Sequence, residues 1–109
     1  MKIDLNSLTK NELTLYKRAL QAILRTGEVQ IVFEKVDGSV TVRRGTLQSR
    51  LITEKAPDVL TIETKGQEKR AENMESVRFF DLDINEFRTF RMDNLVSLGG
   101  NKPEDLIKF

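Results

Sequence analysis

At Gly27 the spacing of apolar residues switches from about 3.6 to 2, and that switch divides the chain into a helix followed by strands. Before it, Leu13, Tyr16, Leu20, Ile23 and Leu24 recur on one helical face. Thr9-Lys10-Asn11-Glu12 reads as a capping box: the Thr9 hydroxyl accepts from the Glu12 amide and the Glu12 carboxylate accepts from the Thr9 amide. Leu8 and Leu13 have the spacing of a hydrophobic staple across that cap. Gly27 suits a C-terminal cap, and Arg25 in the last turn complements the helix dipole. The pattern predicts a helix from about Lys10 to Arg25, with Lys10, Lys17, Arg18 and Gln21 largely off the apolar stripe and Leu15 widening it.

After Gly27, Val29, Ile31 and Phe33 alternate with polar neighbours, as in a half-buried strand. Asp37-Gly38 stands between this run and Val40-Val42, which predicts a two-residue type I′ hairpin. That turn would set Phe33 opposite Val42, Val32 opposite Arg43 and Ile31 opposite Arg44, with Phe33, Val40 and Val42 inward and Glu34, Thr41 and Arg43 outward. Gly45 suits a bulge or sharp bend. Leu51-Ile52 reads as an extension of the second strand or the start of a return, and Ala56-Pro57-Asp58 as a turn. Residues 59–64 read as a third strand and 65–75 as a long, mobile loop whose composition also permits a short exposed helix. Residues 76–82 and 87–92 read as a second hairpin around Asp83-Ile84-Asn85-Glu86, with Asn85 left-handed. One helical turn at 92–95, a closing strand at 96–98 and a flexible tail over 99–109 complete the reading. Residues 1–98 then form a single domain, with the helix over about 10–25 and the strands over about 28–98.

Composition removes whole classes of chemistry. The 109 residues contain no cysteine and no histidine, so a thiol nucleophile, a thiolate metal site and the commonest general base are all absent. The lack of cysteine accords with a reducing cytoplasm. The start of the chain has a charge at Asp4 and no long apolar run, so neither a signal peptide nor a membrane span is expected there. Charge is nearly balanced, 18 basic against 17 acidic residues, which is not the basic excess of a nonspecific nucleic-acid binder. The carboxylate pairs Asp81/Asp83 and Asp4/Glu12 could be read as acid–base pairs, but capping and solubilising roles fit their context better. Asp81-x-Asp83-x-Asn85 lacks the glycine and the twelfth-position acid of a calcium loop. No catalytic function and no cofactor or metal is expected.

Four stretches carry a resemblance: Phe33-Glu34-Lys35-Val36-Asp37-Gly38, Thr46-Leu47, the run Val77 to Asp83, and the run Phe87 to Leu95. Over about residues 29–98 they resemble a family of small SH3-like β-barrel proteins encoded by tailed bacteriophages, and the second half is similar to part of the WYL domain barrel of bacterial transcription regulators. Phe87 stands where many relatives carry tryptophan. The resemblance implies a five- to six-stranded antiparallel SH3-like or Sm-like barrel; with the N-terminal amphipathic helix read from the residues and packed on it, the expected fold is α+β, mainly β. It also implies a phage protein working in the host bacterial cytoplasm.

The candidate binding residues are arginines and an aromatic. Arg88 and Phe90 share one face of their strand, and Phe87, Thr89 and Arg91 the other. An outward Phe beside an Arg would be a stacking platform or a protein hot spot. Arg78 joins this group, while Arg43, Arg44 and Arg50 form a second basic cluster able to contact phosphate. Against both stand blander roles: arginines paired with Asp81, Asp83 and Glu86, and a charged barrel edge. The expected function is a non-enzymatic binding module that takes a host protein in transcription, nucleic-acid metabolism or defence. The alternative is direct DNA or RNA binding through the arginine/aromatic face. Neither a membrane partner nor any particular oligomeric state is implied.

The cap yields a prediction. Thr9→Ala removes the acceptor for the Glu12 amide and should lower stability by roughly 1 kcal/mol in chemical denaturation. An unchanged midpoint would mean that the helix begins elsewhere.

Overall fold

The computed structural model describes residues 4–57 and 73–106. A 3-10 turn at Leu5–Ser7 leads into α1 (Lys10–Leu24), β1 (Val29–Glu34), β2 (Val40–Thr46) and α2 (Ser49–Lys55). Then come β3 (Ser76–Asp81), β4 (Glu86–Arg91), a 3-10 turn at Met92–Asn94, β5 (Leu95–Leu98) and the one-turn helix α3 (Pro103–Leu106). The strand expected over 59–64 and most of the 65–75 loop lie outside the described residues.

Helix α1 starts as the capping box requires: Thr9 Oγ1 accepts from the Glu12 amide at 3.1 Å and Glu12 Oε1 from the Thr9 amide at 2.9 Å. Leu8 and Leu13 are both partly buried against the core. Tyr16, Leu20 and Leu24 are fully buried, but Leu15, expected to widen the stripe, is 55% exposed. Lys17, expected off the stripe, is buried; its ammonium donates to the Asn73 carbonyl at 2.7 Å and ties the helix to the approach to β3.

The five strands form one antiparallel sheet in the order β4-β3-β2-β1-β5. Its two edges, β4 and β5, are joined by only the three residues Met92–Asn94. Such a link reaches about 14 Å at most, whereas the edges of a flat sheet this wide would stand about 19 Å apart. The sheet must therefore curl until its edges approach, which makes it a small barrel. Helix α1 covers the inner face, where its residues share one core with Val29, Ile31, Val77, Phe79, Phe90, Met92, Leu95 and Leu98.

The first hairpin differs from the expected one. Lys35 N–H donates to the Ser39 carbonyl at 2.7 Å and Gly38 N–H to the Lys35 carbonyl at 2.9 Å, so the loop is Val36-Asp37-Gly38 rather than Asp37-Gly38 alone. Gly38 has φ +90°, as expected, but Asp37 does not have the positive φ that a type I′ turn needs. This is a type I turn closed by a left-handed glycine. Asp37 Oδ1 accepts from both the amide and the hydroxyl of Ser39, which favours the longer loop.

One extra loop residue slips the register by one: Phe33 faces Thr41, Val32 faces Val42, and Ile31 faces Arg43. Since side chains alternate, the slip exchanges the faces of β2 relative to the expected pairing. Val40 and Val42, expected inward, are 60% and 56% exposed, and Arg43, expected outward, shares the inner face with Ile31.

Further departures follow. Of the bulge or sharp bend expected at Gly45, the bulge is absent: Gly45 pairs in register with Val29, and a Cβ there would stand 2.4 Å from a Phe79 ring carbon and 2.7 Å from Ile31 Cδ1. The bulge is in β5, where Ser97 faces Val32 and Leu95 faces Phe33, leaving Val96 unpaired. Leu51-Ile52 extends no strand; it lies in α2, anchored by the buried Ile52. The tail read as flexible from Gly99 is structured through Leu106: Leu98 and Asn101 exchange backbone hydrogen bonds, Pro103 is buried, and Leu106 packs on the core. The Tyr16 hydroxyl titrates above the usual tyrosine range, because burial disfavours its anion and the Glu104 carboxylate opposes it. In the second hairpin Asn85 is left-handed at φ +55°, as expected.

Two glycines therefore give contrasting predictions. Gly45→Ala should cost about 1–3 kcal/mol, because neither Ile31 nor Phe79 can retreat within the core. Gly38→Ala meets open space but a left-handed backbone, so its loss of roughly 1 kcal/mol should be relieved by Gly38→Asn. Denaturant midpoints of the three variants check both statements.

Candidate functional site

The sequence-predicted arginines fall into four distinct environments. Registers place Arg43 on β2, Asp81 on β3 and Arg88 on β4 on the inner face of the sheet, where Asp81 pairs with Gly45 and Phe79 with Arg88. There, at the end of β3, the Asp81 side chain is fully buried. Its Oδ1 accepts from the Asp83 amide at 2.9 Å, which closes the β3–β4 turn. Its Oδ2 lies 3.8 Å from Arg43 Nε and 3.6 Å from Arg88 Nε, beyond hydrogen-bond reach of either. A buried carboxylate is tolerated only with such cationic partners. The two arginine side chains remain partly open to solvent, Arg43 27% and Arg88 47% exposed.

Arg44 points to the outer face. Its Nη2 and Nε donate to Asp83 Oδ1 at 2.7 and 3.1 Å, and its Nη1 to Glu28 Oε1 at 3.3 Å. Arg91 is held in the same way: Nε donates to Asp93 Oδ1 at 3.1 Å, and Nη2 to Asp93 Oδ2 and Glu75 Oε2, each at 3.3 Å. Arg78 lies with its Cζ 4.5 Å from the Phe87 ring centroid, and Phe87 in turn packs edge-on against the buried Phe80 at 5.3 Å. Arg50 stands exposed in the first turn of α2.

Phe90 is not a stacking platform. It is buried in the core, 5.9 Å from the ring centroids of both Phe33 and Phe79. Of the two orientations open to the β4 pattern, the structure takes the one with Phe90 inward and Arg91 outward. Nor do Arg43, Arg44 and Arg50 act as one basic cluster: Arg43 faces inward, Arg44 outward, and Arg50 belongs to α2. The sequence reading missed the meeting of Arg43 with Asp81, because the slipped hairpin register decides it. It also missed an exposed apolar strip on the outer face, where Val40 and Val42 stand beside Val32. The serine after Gly38 was the available signal, since it supplies the hydrogen bonds that lengthen the turn.

The acids singled out in the sequence are committed to local contacts. Asp4 caps the first 3-10 turn, Glu12 completes the capping box, Asp81 closes a turn and Asp83 holds Arg44. The hydrogen bond from Arg44 keeps the Asp83 carboxyl below the ordinary aspartate range. A carboxyl depressed in the fold contributes stability above its unfolded value and loses it as pH falls through the lower, folded value. Asp83 should therefore titrate below a typical exposed aspartate, and Arg44→Ala should return it upward; carboxyl-detected NMR titration reads both.

Comparison with known proteins places the chain. Residues 17–96 match the family model described as WYL_2, Sm-like SH3 beta-barrel fold. The chain is also similar to the "Uncharacterized 11.5 kDa protein in Gp31-cd intergenic region" of Enterobacteria phage T4, 29% identical over 102 residues that cover 94% of this chain and 95% of that protein. No solved structure matches it significantly. The matched segment holds every strand of the sheet except its last two residues, and the chain therefore belongs to the WYL_2 family of Sm-like SH3 β-barrels, with a phage protein among its relatives.

Proposed function

We propose that this chain is a non-enzymatic binding module of a bacteriophage and that its partner is a host protein in transcription, nucleic-acid metabolism or defence. The observation that carries the choice of a protein partner is how the arginines are spent. Arg44 and Arg91 are each held by two carboxylates of their own chain, and Arg78 lies on Phe87. A phosphate backbone would have to displace those carboxylates, with a net charge of only +1 to draw it in. The outer face of the first hairpin points the same way. Val40 and Val42 are exposed beside Val32, and Glu34 and Arg44 stand on the same face at its two ends. An apolar strip between opposite charges is protein-interface chemistry and offers little to phosphate. The phage assignment is supported by the T4 relative of nearly equal coverage. The non-enzymatic reading rests on a chain without histidine, cysteine or any catalytic motif.

Capture from bacterial lysate, with and without nuclease, tests the reading. A specific host protein should be retained after nuclease treatment. Val42→Glu changes an exposed position, so stability should stay within about 0.5 kcal/mol while capture weakens by about 2 kcal/mol. Tight binding of an oligonucleotide that falls steeply with salt would move the conclusion to direct nucleic-acid binding.

A further inference from the structure

We propose that Arg43 and Arg88 form a notch on the inner face of the barrel that receives the carboxylate of an acidic side chain from the partner protein; this rests on the protein-binding reading above. The notch is built rather than incidental. Asp81 is fully buried, its Oδ1 is used by the Asp83 amide, and its Oδ2 has no hydrogen-bond partner among the described residues. Both arginines approach that oxygen through Nε, at 3.8 and 3.6 Å. With Nε turned toward Asp81, the terminal Nη groups are the donors left for other partners. Among the described residues none of those Nη groups donates to a protein acceptor, in contrast to Arg44 and Arg91. Two planar donor forks of solvent-open side chains, held by one buried anion, suit an oxyanion with paired acceptors.

A carboxylate fits better than a phosphate. Asp81 already neutralises one of the two cations, and Glu86, which pairs with Asp81 across β3–β4, adds a second carboxylate at the exposed rim of the same face. A phosphate dianion or a polyanion would be opposed by both acids, while a single carboxylate meets the unspent donors with less repulsion. Phe33 stands two residues from Ile31 on the same face, diagonal to Arg43, and is only partly buried, so the notch also has an apolar wall for the methylenes of a glutamate.

The test needs no identified partner. In the full chain labelled with nitrogen-15, the arginine Nε–Hε resonances are followed during titration with sodium acetate. Parallel arms use inorganic phosphate, a single-stranded oligonucleotide, and an end-capped, otherwise uncharged peptide carrying one glutamate or, as control, one glutamine. Saturable shifts at Arg43 and Arg88, absent from Arg44, Arg50 and Arg91, are expected with acetate and with the glutamate peptide, and none with the glutamine peptide. Arg43→Lys and Arg88→Lys keep the charge but lose the fork, and each should weaken the glutamate peptide several-fold while the backbone spectrum stays that of the folded chain. Shifts equal at all arginines, or no shifts, overturn the notch while leaving the capture experiment with Val42→Glu to stand or fall separately. Saturation by phosphate or oligonucleotide that displaces acetate also overturns it, in favour of a nucleic-acid phosphate.

Discussion

The barrel depends on one junction where its two hairpins meet. β2 pairs with β3 at only two positions, Gly45–Asp81 and Thr46–Phe80. Helix α1 joins at the same place: the Leu24 carbonyl accepts from the Leu47 amide at 2.8 Å and from the buried Thr46 hydroxyl at 3.2 Å. On the inner side, Ile31 from β1 and Phe79 from β3 close over Gly45 in space that a Cβ would fill. So short a ladder cannot hold two hairpins through backbone bonds alone; packing across the glycine does it, and in a close-packed interior one methyl group is felt. The positions of Arg43, Asp81 and Arg88 are consequences of that contact, since each belongs to a different strand around it.

The junction also explains why a carboxylate can lie buried there. Asp81 ends β3 opposite a residue with no side chain, and the two arginines flank its carboxylate. Removing two charges from water is costly, and a carboxylate between two partly solvated guanidinium groups recovers part of that cost without trapping the cations. The result is a pair of arginines whose direction is set by the fold. Arg44 and Arg91 lie in exposed ion pairs, which contribute little to stability and mainly settle where positive charge is unavailable to a ligand.

Membership in the WYL_2 family accounts for the architecture and leaves the ligand to the particular surface of this chain. That surface is mixed. The outer side of the first hairpin is apolar between charges of opposite sign, and the inner side has two donor groups positioned by an acid. Together they favour a partner with both apolar and acidic side chains over a uniform polyanion.

The local elements were legible in the residues themselves. The capping box and staple define the start of α1, alternation marks β1, and Asn85 marks a left-handed turn, because each depends on neighbours within a few positions. The motifs around the two hairpins were likewise enough to point to the phage small-barrel family. Other features depended on which face packs against what. A period of two separates the sides of a strand without saying which is inward, so the Val40 and Val42 pattern fits either register, and the Ser39 hydrogen bonds that add one loop residue reverse β2. Leu51-Ile52 suits a strand or a helix, and burial of Ile52 alone anchors the helix. Arg43, Asp81 and Arg88 lie far apart in sequence and meet because Gly45 lets two hairpins close over it. Sequence alone determined α1, the strands of the two hairpins and the family; packing decided α2, the C-terminal end, which side chains face the core, which face solvent, and which three converge.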